Sequence, residues 1–120
     1  MDTAWVRAVC RALPHTTEQV QWGSALVFKV GGKMYAVAQL EPARTCLSFK
    51  CSAEDFAALS ELPGAMPAPY LARAQWVALE HEEALPPAQL REQLRRAHAL
   101  VLAKLPKKKR AELDQRVSKR

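Results

Sequence analysis

Apolar residues crowd into two short runs, Ala25 to Val30 and Met34 to Leu40, on either side of Gly31-Gly32. This is the layout of a β-hairpin, because a two-residue turn requires positive φ and glycine adopts it without a Cβ clash. With the glycines at the turn, Val30 is expected opposite Lys33, Phe28 opposite Tyr35 and Leu26 opposite Val37, all on one face. That face holds the large side chains and is expected to meet a helix layer. The other carries Ala25, Val27, Lys29, Met34, Ala36 and Ala38, smaller and partly polar, and is expected nearer solvent.

The flanking segments alternate between helical and strand periods. Asp2 or Thr3 can cap a first helix with a core stripe of Ala4, Trp5, Ala8, Val9 and Ala12, ended by Pro14. His15 to Gly23 reads as a short strand closed at Gly23-Ser24, and Glu41-Pro42-Ala43-Arg44 as a turn after the hairpin. In Thr45 to Cys51 the residues Leu47, Phe49 and Cys51 alternate with Cys46, Ser48 and Lys50, so the apolar set is expected on the helix side and Lys50 on the open side. Ser52-Ala53-Glu54-Asp55 predicts a capping box for a helix with Phe56 and Leu59 inward, stopped at Leu62-Pro63-Gly64. Ala65 to Ala74 contains Pro67 and Pro69 and cannot be regular helix; Tyr70 and Leu71 are expected to pin it by burial. A last strand spans Gln75 to Glu80, and Pro86-Pro87 opens the longest helix, with Leu90, Leu94, Ala97, Val101 and Leu105 as its buried stripe. Leu105-Pro106 breaks it. A basic segment follows, forming a short helix through Leu113 and fraying beyond Asp114. The pattern predicts an α+β fold, an antiparallel sheet with helices on one face, as a single domain over 1–105 followed by a basic, partly flexible helix or tail over 106–120.

Composition agrees with an ordinary globular protein, 49% hydrophobic and 25% charged. No apolar run reaches the roughly 18 to 20 residues of a membrane span, and Met1 to Trp5 lacks a signal-peptide layout, so a cytoplasmic protein without membrane association is expected. The net charge of +6 is unevenly placed. Residues 91–120 hold eleven Lys and Arg against three acids, whereas residues 1–90 hold seven against nine. Such an asymmetry suits a polyanion, and it also suits a solvated, solubilising face.

Candidate chemistry is sparse, and neither enzymatic activity nor a cofactor is expected. Cys10, Cys46 and Cys51 form no Cys-x-x-Cys and read as structural thiols, while His15, His81 and His98 lack flanking motifs and read as ordinary polar residues. Glu80 to Glu83 is acidic, but neighbours on a strand alternate faces, so no metal is expected there. Gly31-Gly32-Lys33 joins two strands and is no Walker loop. What remains is a set of cations: Lys29, Lys33, Arg44 and Lys50 on the open face and tips, Arg73 in the proline loop, and Lys107, Lys108, Lys109 and Arg110 after the last helix. They can hold phosphates, or they can be charges that protect sheet edges from aggregation. A competing reading makes Trp22, Tyr70 and Trp76 the lining of a groove for a protein or small ligand.

Several stretches together resemble the MmcQ/YjbR family of small bacterial proteins. They are Gln21-Trp22-Gly23, Phe28 through Ala36, Leu47 through Glu54, Pro63-Gly64-Ala65-Met66-Pro67-Ala68-Pro69-Tyr70-Leu71, Trp76-Val77, and the closing Leu105-Pro106-Lys107-Lys108-Lys109. The resemblance covers nearly the whole chain and implies a CyaY-like two-layer sandwich and DNA binding through a double-wing arrangement. Gln21 stands where the family has Pro, and His98 where it has an aromatic, so neither position inherits a role. The iron delivery of frataxin-type relatives is not implied, since the first helix carries Arg7 and Arg11 in place of an acidic ridge.

Overall fold

The computed structural model describes residues 2–118. Six strands, β1 (Thr16–Gln21), β2 (Ala25–Val30), β3 (Lys33–Gln39), β4 (Leu47–Lys50), β5 (Ala65–Pro67) and β6 (Trp76–Leu79), form one antiparallel sheet in the order β1-β2-β3-β4-β6-β5. Helices α1 (Thr3–Arg11), α2 (Ala53–Leu59) and α3 (Pro87–Lys104) pack on one side, and α4 (Lys107–Ser118) follows after a two-residue corner. The fold is the expected α+β sandwich. No helix among the described residues is long and apolar enough to cross a membrane.

The hairpin departs from its expected register. Gly31 and Gly32 make the turn, at φ 60° and 80°, and Val30 does face Lys33. Beyond Lys29, which faces Met34, the pairing slips by one so that Phe28 meets Ala36 and Leu26 meets Ala38. Tyr35 is the extra residue of a β-bulge. Because side chains alternate with period two, one inserted residue exchanges the faces of everything after it. Ala36 and Ala38 therefore join the helix-side core, and Val37 turns to the other face beside Ala25 and Val27. The bulge lets Tyr35 bury completely, its hydroxyl 3.0 Å from Thr16 Oγ1 and 3.4 Å from the Cys10 carbonyl.

Beneath Tyr35 lies His98, which is buried rather than an ordinary surface residue. Its ring meets the Tyr35 ring edge-on at 5.3 Å, and Nε2 lies 2.7 Å from the Pro14 carbonyl. A carbonyl only accepts, so Nε2 carries the proton, and burial pulls the pKa of the imidazole below its usual value.

Other details were redirected by packing. The buried stripe of α1 is Val6 and Cys10 with Trp5, Val9 and Leu13 alongside, whereas Ala4, Ala8 and Ala12 are exposed. Ser52 Oγ caps α2 by accepting from the Asp55 amide, but the Asp55 carboxylate does not return the bond. It accepts from Arg96 of α3 at 3.1 Å and ties the two helices together. The far face of the sheet is also less open than expected. Ala25, Val27, Val37, Trp76 and Ala78 form a second small core there, covered by Ala68 and Leu71 of the proline-rich loop. Within that loop, Ala65–Pro67 is the edge strand β5, where a proline can sit without breaking a ladder. Ala68 and Leu71 do the pinning, while Tyr70 is wholly exposed in left-handed backbone at φ 65°. Finally, α4 runs past Asp114 to Ser118, with Leu113 buried in the main core; Lys119 and Arg120 lie outside the described residues.

Candidate nucleic-acid interface

The site begins at the corner between α3 and α4. Pro106 disfavours helical backbone at the residue before it, and Leu105 is extended there. The corner turns the Leu105 side chain onto the hairpin tip so closely that a Cβ on Gly31 would lie 2.5 Å from Leu105 Cδ1. One contact thus brings Lys33 after the turn, Lys104 at the end of α3 and the basic start of α4 to one end of the molecule.

Across the far face at this end, register sets Thr17 and Met34 on either side of Lys29, and Trp76 beside Lys50, with β3 and β4 paired through Ala36 and Phe49 between them. Lys29 and Lys50 are two strand spacings apart, about 10 Å. The Lys29 ammonium donates to Gln19 Oε1 at 3.3 Å. Lys50 donates to the carbonyl of Ala74, in a short 3-10 turn (Ala72–Ala74) that also carries exposed Arg73. Partial burial, and then the charge of Lys104, lower the pKa of Lys50. A recess of about 260 Å³ opens between them, lined by Lys33, Met34, Lys50, Trp76, Val101 and Lys104 and closed by the Leu105-Pro106 corner.

Two connections lie at this end of the sheet, the β2–β3 turn and the 68–75 loop between β5 and β6, and Lys50 is bonded to the second of them. Tyr70 and Arg73 belong to the second. Lys107, Lys108, Lys109 and Arg110 occupy the first turn of α4. Lys107 and Lys108 are exposed, and Lys109 lies 3.9 Å from Glu112. Cations at a helix N-terminus oppose its dipole, so local helix energetics do not explain four of them there.

Not every candidate joins this cluster. Arg44 sits in the β3–β4 connection, at the opposite end of β3, about 20 Å away along a strand of that length. Trp22 shares that far end, 69% exposed with φ 52°, whereas Trp76 is only 4% exposed. Trp22, Tyr70 and Trp76 therefore do not line one groove. Lys104 was absent from the candidates read in the sequence. The signal available for it was the Leu-Pro corner, which stops a helix and so fixes what its last residue faces.

The remaining chemistry is quiet. Burial raises the Cys10 and Cys51 thiols to about 12 and Cys46 to about 11, so all three are protonated at neutral pH. Among the described residues, no group of three His, Cys, Asp or Glu side chains is arranged to hold a metal ion.

The YjbR family model matches residues 11–100. The chain is similar to the crystal structure of Deinococcus radiodurans protein DR2400, a DUF419 domain, at 32% identity and a TM-score of 0.81 over 94% of this chain and 88% of that one. It also shares its fold with a Pseudomonas syringae structural-genomics target, PsR293, at 17% identity and a TM-score of 0.69 over 84% of this chain and 99% of the other. No curated protein matches the sequence. With three quarters of its length matched by that model, and the sandwich and hairpin in place, the chain belongs to the YjbR family.

Proposed function

We propose that this protein is a non-enzymatic DNA-binding protein of the bacterial cytoplasm. In this reading it grips phosphates with these two loops, the lysines beside them, and the first turn of α4. The observation that carries the reading is the convergence of Lys33, Lys50 and Lys104 at one recess. Among the described residues, none of the three has a carboxylate partner in an ion pair. A merely solubilising charge pattern would be spread out or paired; these cations are concentrated where like-charge repulsion opposes folding. The hairpin tip acts as one wing and the 68–75 loop as the other. Lysines supply point charges without sequence readout, so weak sequence preference goes with this mode.

Titration of a labelled duplex at several salt concentrations tests the reading. For about four to six phosphates neutralised, log affinity falls against log salt with a slope of about −4 to −5. Replacing Lys108 by Met reduces that slope by about one, and replacing Arg44 leaves it unchanged. Absence of binding at low salt refutes the proposal. A protein-interaction role is favoured by one other observation, a largely apolar groove of about 410 Å³ between α1 and α3, where Arg91 lies 5.6 Å over the Trp5 ring. A stoichiometric partner retained after nuclease treatment, and lost on replacing Val9 by Asp, supports that reading.

A further inference from the structure

We propose that the recess between the hairpin tip and the α3–α4 corner is a seat for a nucleoside phosphomonoester, the dianionic phosphate of a nucleotide or of a nucleic-acid strand end. The inference rests on the polyanion reading above and narrows it to one subsite and one kind of phosphate.

Size is the first argument. At about 260 Å³ the recess falls just below the roughly 300 to 1,000 Å³ of typical small-molecule sites. It has room for one phosphate group and part of the nucleoside attached to it.

Charge is the second. Three lysines, Lys33, Lys50 and Lys104, line the recess. An internal phosphodiester carries a single charge, whereas a monoester, with its second pKa near about 6, carries close to two at neutral pH and has three free oxygens to accept hydrogen bonds. Lys50 is preorganised for this task. One of its three donors is spent on the Ala74 carbonyl, which ties the ammonium to the 72–74 turn and leaves two donors for a ligand. Its neighbours also favour an anion there. Desolvation and the nearby Lys104 both disfavour the charged form of Lys50, and a bound dianion offsets both.

The floor is the third argument. Met34, Trp76, Val101 and Leu105 present apolar atoms beside the lysines. A site for a free inorganic anion has no use for such a floor, whereas a sugar and base attached to the phosphate can bury against it.

Calorimetric titrations of the full chain test this with five probes: a short single-stranded oligonucleotide bearing a 5′-phosphate, the same oligonucleotide with a 5′-hydroxyl, deoxyadenosine 5′-monophosphate, inorganic phosphate, and a duplex lacking terminal phosphates. The expected result is that the 5′-phosphate tightens binding about tenfold or more, the worth of one or two charge-assisted hydrogen bonds. Lys50→Met and Lys104→Met each abolish that increment. Lys104 is exposed at a helix end, so its variant keeps the fold, which circular dichroism checks. Equal binding of the two oligonucleotides overturns the inference, as does an increment that survives both substitutions. Inorganic phosphate binding as tightly as the mononucleotide overturns the role of the apolar floor. A mononucleotide as tight as the phosphorylated strand assigns the seat to free nucleotides; a tighter strand assigns it to strand ends. If the duplex without terminal phosphates fails to bind while the monoesters bind, the DNA-binding reading falls and the seat stands. If the duplex binds and the 5′-phosphate adds nothing, the reverse holds.

Discussion

Gly31 and Gly32 offer a paired test of how the basic end is assembled. Both glycines have positive φ, 60° and 80°, so alanine at either is expected to cost about 1 to 2 kcal/mol from backbone conformation alone. They differ in what surrounds them. A Cβ at position 32 meets nothing within 4 Å, whereas one at position 31 lies 2.5 Å from Leu105 Cδ1 and 3.1 Å from Cδ2. To reach ordinary contact at 3.4 Å, Leu105 Cδ1 must withdraw by about 0.9 Å. Leu105 is 5% exposed and belongs to the main core, so withdrawal means an unfavourable rotamer or a shifted corner, a further cost of about 1 to 2 kcal/mol. Gly31→Ala is therefore expected to lower unfolding free energy by about 2 to 4 kcal/mol in urea titrations followed by circular dichroism, against about 1 to 2 for Gly32→Ala. A double-mutant cycle isolates the contact. Adding Leu105→Ala makes room for the new methyl, so Gly31→Ala costs less in that background, whereas Gly32→Ala costs the same in both. Equal losses for the two glycine variants, or strict additivity with Leu105→Ala, would refute the argument that the corner rests on the hairpin tip. Because the same contact brings Lys33 to Lys104, Gly31→Ala is also expected to weaken DNA binding more than Gly32→Ala does.

Three further outcomes follow from particular residues. Leu113 is 5% exposed within the main core, so Leu113→Ala is expected to destabilise by about 2 to 3 kcal/mol in the same titration; no measurable loss would mean that α4 is not docked. His98 is neutral in the folded protein, with its pKa lowered by burial, so the unfolded chain binds the extra proton first. The stability contribution of the neutral ring is full above the unfolded pKa, about 6.5, and is lost as pH falls through the folded value. His98→Gln, whose amide can still donate to the Pro14 carbonyl, is expected to flatten that acid slope, and an unchanged slope refutes the assignment. Tyr70 packs against nothing, so Tyr70→Ala should shift stability by no more than about 0.5 kcal/mol, and a larger loss in thermal unfolding would contradict its exposure. If the 68–75 loop acts as a wing, the same substitution weakens DNA binding.

The local rules in the sequence determined the elements and most of their sides. Gly31-Gly32 marked the hairpin, and the alternation in β4 put Leu47, Phe49 and Cys51 in the helix-side core and left Lys50 out of it, although Cys46, expected on the open side with Ser48 and Lys50, packs against that core as well. Ser52 marked the start of α2, and Leu105-Pro106 the end of α3. Such signals work because turn conformations and side-chain periods depend on neighbours in the chain. What depends on partners distant in the chain was decided elsewhere. The bulge at Tyr35 exists because a tyrosine hydroxyl buried between α1 and the sheet needs Thr16 and the Cys10 carbonyl, and no local pattern announces a one-residue slip. The burial of His98, the cover that Ala68 and Leu71 place over the second face, and the diversion of Asp55 to Arg96 have the same origin. The site divides along this line. The sequence by itself named nearly all the cations, since charge is a property of single residues. Only the tertiary structure decided that Lys33, Lys50 and an unsuspected Lys104 share one recess while Arg44 stands at the other end, because that depends on strand register and on where one leucine comes to rest.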